Sequence, residues 1–253
     1  MSLLKRIFLG RPDEKVLRRI TRKGVTLSIT ENEDEKILKY NNIIYSRVNK
    51  KSVYTNSYWD YFAPLPLLYS SPKMLMIGLG GGTVIVQLNQ LFGGEVSLKV
   101  VELDKDMIKI SKDFLPKGLK NTTINQGDGA KFIKGKNGAY DIIALDAYTG
   151  DRIPQVFLQD EFIRDAYEAL GDEGVMGINY ALNLNALIHM ERYLSALRKL
   201  FKVYTINNPL SSGNMIILCS KKLDKEQMLE KLNKRINKIK PTYAMMRGYL
   251  EMK

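Results

Sequence analysis

The apolar and polar positions of this chain change their period once. Between residues 24 and 50 they alternate: Val25, Leu27 and Ile29 come first, the polar run "ENED" interrupts, and "KILKY" and "IIYSRV" follow. Alternation puts one side of each segment in a core and the other in water, the pattern of half-buried strands. Asn41 and Asn42 separate the last two runs, and asparagine accepts the positive φ of a tight hairpin. Residues 1–57 are therefore expected to form a small N-terminal β unit.

From Lys73 onward, short continuous apolar runs alternate with amphipathic ones. "KMLMIGL", "SLKVVELD", "NTTINQGD", "YDIIALDAY" and "GVMGINYAL" read as strands. Thr83 to Leu91, "KDMIKISKDFL", "GAKFI", "QDEFIRDAYEAL" and "LNALIHMERYLSALRKLF" read as the helices between and after them. "KVYTINN" and "NMIILCSKK" close the series as a hairpin across "PLSSG". Strands apolar on both faces imply a mostly parallel sheet covered by helices. Residues 58–253 are thus expected to be one α/β domain. It ends in an amphipathic helix over 221–240, where Met228, Leu229, Leu232, Ile236 and Ile239 recur at helical spacing.

That last segment carries much of the net charge of +12. A solvated outer helix face accounts for it; a nucleic-acid surface is the alternative, and no nucleic-acid motif supports it. The chain has one cysteine, Cys219, and one histidine, His189, both in apolar patterns. A disulfide framework and a Cys-rich metal site are excluded, a His-based zinc site or a Ser-His-Asp triad is hard to build, and no metal is expected. No apolar run approaches the ~20 residues of a membrane span. The start, "MSLLKRIFLGRPDEK", is charged too early for a secretory leader, so a cytoplasmic protein without membrane contact is expected.

The candidate chemistry lies at the ends of the strands. Gly78, Gly80, Gly81 and Gly82 fall between a strand and a helix, where bare backbone can approach a ligand and helix amides point at it. Glu102 ends the next strand, 24 residues after Gly78, where a carboxylate accepts from ribose hydroxyls. The dinucleotide fingerprint wants glycine where Thr83 stands, and no Gly-Lys-Ser/Thr follows to make a phosphate loop. Gly-x-Gly-x-Gly is instead common in folds that bind S-adenosylmethionine. A glycine turn needed only for close helix–sheet packing is the alternative reading of the loop, and Glu102 weighs against it. Asp128 follows the third strand, placed to accept from an adenine amino group, and Asp146 ends the fourth. Together these groups meet at the carboxyl edge of one sheet, where open α/β folds bind ligands.

Over residues 25 to 220 the chain resembles the spermidine synthase (polyamine aminopropyltransferase) family. The likeness rests on "YWDYFAPLPLL", the glycine loop, "VELD", "GDGAKF", "DAYTGD" and the closing "FKVYTINNPLSSGNMIILCS". It implies a Rossmann-like fold of the S-adenosylmethionine-dependent methyltransferase type, with a seven-stranded sheet and a small N-terminal β unit. It also implies a homo-oligomer, a dimer or tetramer. By resemblance, Glu102 with Leu103 binds the nucleoside ribose and Asp128 with Gly129 binds adenine. Asp146 sits beside the reacting amine as proton acceptor, with Tyr58, Asp60 and Tyr148 lining the amine site.

Three positions depart from the family. Its glycine-loop Asp is Gly81 here, its second acid after Asp146 is Thr149, and a glutamine of the N-terminal unit is replaced by Tyr45. Asp151 or Asp60 is a candidate for the missing charge. The expected activity is aminopropyl transfer from decarboxylated S-adenosylmethionine to a small amine or polyamine. The departures keep two alternatives open: a methyltransferase using intact S-adenosylmethionine, and a non-catalytic relative that binds nucleoside or nucleic acid.

Overall fold

A computed structural model describes residues 14–207 and 213–253. The leader reading of residues 1–13 and most of the "PLSSG" turn lie outside them. Eleven strands form two sheets among the described residues. The first is an antiparallel meander of β1 (Lys15–Arg22), β2 (Val25–Glu31), β3 (Glu35–Tyr40) and β4 (Ile43–Asn49). Tyr40 pairs with Ile43 across the two asparagines, and Asn41 takes φ 53°, as the hairpin reading requires. β1 is an addition to the sequence reading. "KVLRRITR" is mostly exposed and basic, and its strand state follows from pairing with β2 from Lys15↔Glu31 to Arg22↔Val25.

The second sheet has seven strands in the order β10-β11-β9-β8-β5-β6-β7. These are β5 (Lys73–Ile77), β6 (Ser97–Glu102), β7 (Thr122–Gln126), β8 (Tyr140–Leu145), β9 (Leu170–Ala181), β10 (Lys202–Asn207) and β11 (Asn214–Ser220). β5 to β9 run parallel, and β11 and β10 add an antiparallel edge. Pleating splits the core into two layers. Met74, Met76, Val100, Ile142 and Leu218 face α1 (Thr83–Phe92) on one side. Leu75, Ile77, Val101, Ile143 and Ile217 face α3 (Gly129–Ile133), α4 (Asp160–Ala169) and α5 (Leu184–Arg198) on the other. A third cluster joins the two sheets: Leu27, Ile29 and Leu38 pack on Met107, Ile110 and Phe114 of α2 (Lys105–Ser111) and the turn after it.

The basic C-terminal segment differs from the single helix expected. α6 (Lys225–Asn233) buries Met228 and Leu232 and opens with Asp224 as a capping box. The helix then stops, Arg235 donates to the Tyr69 carbonyl, and a short 3-10 turn (Ile236–Lys238) leads to buried Ile239. α7 (Tyr243–Leu250) is a further addition, docked through Tyr249, whose hydroxyl donates to the Tyr61 carbonyl. Among the described residues no helix is long and apolar enough to cross a membrane.

The functionally important feature is the order of the strands. β6 and β7 build outward from β5 on one side, and the chain then returns to place β8 on the other. The carboxyl ends of β5 and β8 are therefore neighbours at a topological switch point, the place where open sheets leave a crevice.

Candidate functional site

Gly78 follows β5 and Asp146 follows β8, and the ladder bonds carry on into both loops. Gly78 N donates to Val101 O at 2.9 Å, and Asp146 N donates to Ile77 O at 2.9 Å. Gly78 has φ 95°, and a Cβ placed on it would lie 2.2 Å from the Asp146 carbonyl oxygen. Only glycine lets the two loops approach this closely.

The nucleoside side is a cavity of about 330 Å³ over the ends of β5, β6 and β7. Gly78, Gly80, Glu102, Leu103, Asp128 and Gly129 line it. Glu102 is tied to the backbone: Oε2 accepts from Leu79 N at 2.9 Å and Oε1 from Asp104 N at 2.8 Å. The carboxylate thus staples the glycine loop to the end of β6 while facing the cavity, and burial raises its pKa. Asp128 caps α3, accepting from Ala130 N at 2.9 Å and Lys131 N at 3.3 Å through Oδ1. Met107, Val156 and Phe157 supply apolar wall. A cavity with two anchored carboxylates, bare glycine backbone and apolar walls suits a nucleoside.

Gly81 and Gly82 were expected to join this cradle and do not. The cause is β4, which lies across the loop. The Gly81 amide donates to Ser46 Oγ, and a Cβ at Gly81 would meet Ser46 Cβ at 2.8 Å and Phe114 Cδ1 at 3.1 Å. At Gly82 the neighbour is the Leu115 side chain. Gly80 is also held against β4, where a Cβ would meet Tyr45 O at 2.8 Å, so close packing applies along the loop while only Gly78 and Gly80 also line the cavity.

On the other side of Asp146 lies a second cavity, of about 490 Å³. Tyr45 and Tyr148 line both cavities and form the partition between them. Tyr45 stacks on Tyr40, with ring centroids 4.9 Å apart, and donates to Gly150 O at 2.9 Å. Asp146 lines the second cavity beside this partition. Asn179 Nδ2 donates to its Oδ1 at 2.7 Å, and Trp59 and Tyr58 add hydrogen bonds. Burial outweighs these donors and pushes the Asp146 pKa up to about 6. Burial also raises the phenols of Tyr58 and Tyr148, so both stay protonated as donors.

Asn179 on β9 organises this side and was not singled out in the sequence. It is buried, Asn214 Nδ2 donates to its Oδ1 at 2.7 Å, and its backbone carbonyl accepts from the Tyr148 hydroxyl at 2.8 Å. With Oδ1 occupied by Asn214, its amide nitrogen is left to face Asp146. The available signal was one polar residue inside the apolar run "GVMGINYAL".

Asp60 corrects the sequence reading. It lines neither cavity: it is buried, and its carboxylate accepts from Thr55 N, Thr55 Oγ1, Asn56 N and Gln87 Nε2. Tyr58 and Asp60 sit two residues apart in a 3-10 turn (Tyr58–Phe62), so at about three residues per turn their side chains diverge. Thr149 lies on the nucleoside side, and Asp151 lies on the rim of the second cavity. Among the described residues no group of His, Cys, Asp and Glu could hold a metal ion. Cys219 is buried in the core, and His189 is exposed on α5.

Two joined cavities at the switch point of a mostly parallel seven-stranded sheet define an α/β protein with a methyltransferase-like fold. A family profile described as the spermine/spermidine synthase domain matches residues 55–249, and the chain belongs to that family. A polyamine aminopropyltransferase of Vibrio vulnificus is 32% identical over 151 residues, which cover 58% of this chain and 49% of that protein. The match thus spans about half the length of that relative. A spermidine synthase solved with the transition-state analogue AdoDATO superposes with a TM-score of 0.71 at 18% identity, covering 93% of this chain and 85% of the other. Human methyltransferase-like protein 13, solved with SAH, gives 0.60 at 21% identity, covering 72% and 91%. These two likenesses bear on the fold.

Proposed function

We propose that this chain transfers an aminopropyl group from decarboxylated S-adenosylmethionine to an amine. The observation that carries the reading is the place of Asp146: a carboxylate with its pKa raised to about 6, between a nucleoside-sized cavity and a second cavity. In this proposal Glu102 and Leu103 hold the ribose, and Asp128 and Gly129 hold the adenine. Gly78 and Gly80 let the backbone close on the nucleoside. Bound there, the sulfonium supplies an activated methylene. An amine held at Asp146 gives up a proton to the carboxylate, and its nitrogen attacks that methylene. The carbon–sulfur bond breaks with its electron pair going to sulfur, leaving a neutral thioether nucleoside and a secondary amine. Tyr58 donates to Asp146, Tyr148 lines the cavity with its hydroxyl donated to the Asn179 carbonyl, and the gain comes from holding two reactants in line next to a base. The proposal includes a cytoplasmic protein that assembles as a homo-oligomer, with residues 1–57 and 58–253 as its two units.

A second reading, methyl transfer from intact S-adenosylmethionine, draws on one observation. The glycine loop presents no acid at Gly81, so an intact cofactor's carboxylate meets no like charge from that position. One experiment separates the two. The full chain is incubated with either donor and a mixture of amines, and the nucleoside product is identified by chromatography and mass. The thioether methylthioadenosine from the decarboxylated donor is expected. S-Adenosylhomocysteine formed from the intact donor, with no methylthioadenosine, would overturn aminopropyl transfer.

A further inference from the structure

The second cavity provides for one cation, at Asp146, and its remaining wall is of another character. Ile43, Ile44, Ala181, Leu182 and the Trp59 ring supply apolar surface, and Ser57, Asn183 and Asn214 add polar groups without charge. The charged group among them is the Arg47 guanidinium, whose Nε lies 2.8 Å from a Glu35 carboxylate oxygen. Apart from Asp146, the acid on the described wall is Asp151, whose side chain is 68% exposed and 3.9 Å from Arg152 Nε. Thr149, where an acid was expected by resemblance, lines the nucleoside cavity instead.

We propose that this cavity takes a primary monoamine with an uncharged, apolar alkyl or aryl body, in preference to a diamine or polyamine. The inference rests on the aminopropyl reading only for what becomes of the amine after it binds. A diamine keeps a second ammonium at neutral pH. Seated with its first nitrogen at Asp146, it would place that charge against part-exposed isoleucine side chains and beside a guanidinium already paired with Glu35. A charge partly desolvated without a carboxylate to pair with is disfavoured relative to an apolar group of the same length. The volume of about 490 Å³, larger than the nucleoside cavity, leaves room for a body bulkier than a linear diamine.

Trp59 is the single tryptophan of the chain and lines this cavity, so its emission reports occupancy without turnover. The full chain, with methylthioadenosine present, is titrated with hexylamine and with hexamethylenediamine, which differ only in the distal ammonium. Hexylamine is expected to shift Trp59 emission with an affinity about tenfold or more higher than the diamine. Ile44→Glu, a change at a part-exposed position on β4, places an anion on the apolar wall and is expected to reverse the order. A diamine that binds as tightly as hexylamine in the parent would overturn the proposal. So would emission unmoved by either amine. Hexylamine binding as expected, with no methylthioadenosine released from the decarboxylated donor, would refute the aminopropyl reading and leave the ligand class standing.

Discussion

The two cavities share a partition and are built in opposite ways. On the nucleoside side each polar group sits where its own strand ends, Gly78 after β5, Glu102 at the end of β6 and Asp128 after β7, and each is locked by bonds to nearby backbone. On the other side the groups come from segments far apart in the chain: β4, the turn at Tyr58–Trp59, Asn179 on β9 and Asn214 on β11. One site is made by local chain geometry and the other by tertiary packing. A fold can therefore keep the first nearly fixed while the second changes its ligand, because altering β4 or the tip of β11 leaves the strand-end loops untouched.

Asp146 is where the two halves meet, and its replacement should break the comparison most sharply. Asp146→Asn is expected to lower kcat by about 10² or more, as for loss of a general base, while the nucleoside product binds within a few-fold of the parent. Steady-state rates with calorimetry on methylthioadenosine check it; unchanged kcat would remove Asp146 from the chemistry. Glu102→Ala should do the converse. It loses the charge-assisted ligand contact and frees the Leu79 and Asp104 amides, so nucleoside affinity is expected to fall about 10²-fold. The Trp59 response to amines should stay as it was. If both signals fall together, the cavities are coupled through the partition rather than separable.

Asn179→Ala tests the packed side alone. Its hydrogen bond favours the ionised Asp146, so its removal should move the acid limb of the kcat/KM profile to higher pH from about 6. A fall in kcat of about tenfold is expected alongside, the size of one lost hydrogen bond to a charge. A rate loss with an unmoved pH profile would make Asn179 a packing residue only.

What could be read in the sequence follows the same division. Period changes exposed β2 to β11, because each strand carries its apolar pattern within itself, and strand ends located Gly78, Glu102, Asp128 and Asp146. β1 could not be read so, since its mostly polar, exposed "KVLRRITR" is a strand only against β2. α7 was hidden in a short "YAMMRGYL" holding Gly248, a residue required there because a Cβ would meet the Tyr61 ring at 2.6 Å. Asp60 was misplaced because spacing brings it near Tyr58 and the turn geometry then aims it away. Asn179 was passed over because a single asparagine in a buried strand acquires meaning only when β8 and β11 are placed beside it.

Gly81 sharpens the comparison from the loop itself. Gly81→Ala should destabilise the chain by about 1–3 kcal/mol, since Ser46 and Phe114 already fill the space. Ser46→Gly in the same chain should recover part of the loss, measured by denaturant unfolding. Full stability of Gly81→Ala alone would mean that β4 does not close on the loop.

The smallest expected effect concerns stability rather than rate, and it has a definite sign. Asp146 in the folded chain has its pKa raised by burial from the ordinary 3.8 to about 6. Between these values the folded chain binds more protons than the unfolded one, so this group's contribution to stability falls as pH rises through the window. Above about 6 the full cost of holding the ionised carboxylate in the fold is present. One pKa unit corresponds to about 1.4 kcal/mol, and the part-exposed position reduces the effect, so about 1–2 kcal/mol is expected. An asparagine side chain at this position carries no charge, and its carbonyl can still accept from Asn179. Asp146→Asn should therefore unfold at a higher temperature than the parent near pH 8, with the gain vanishing below about pH 3, where Asp146 is protonated in both the folded and the unfolded chain. Thermal unfolding across that range checks it. A gain of equal size at both ends would assign the effect to packing, and no gain at the alkaline end would mean that the carboxylate is not held at a cost. The packed half of the site would then not be under the electrostatic strain that makes Asp146 a base near neutrality.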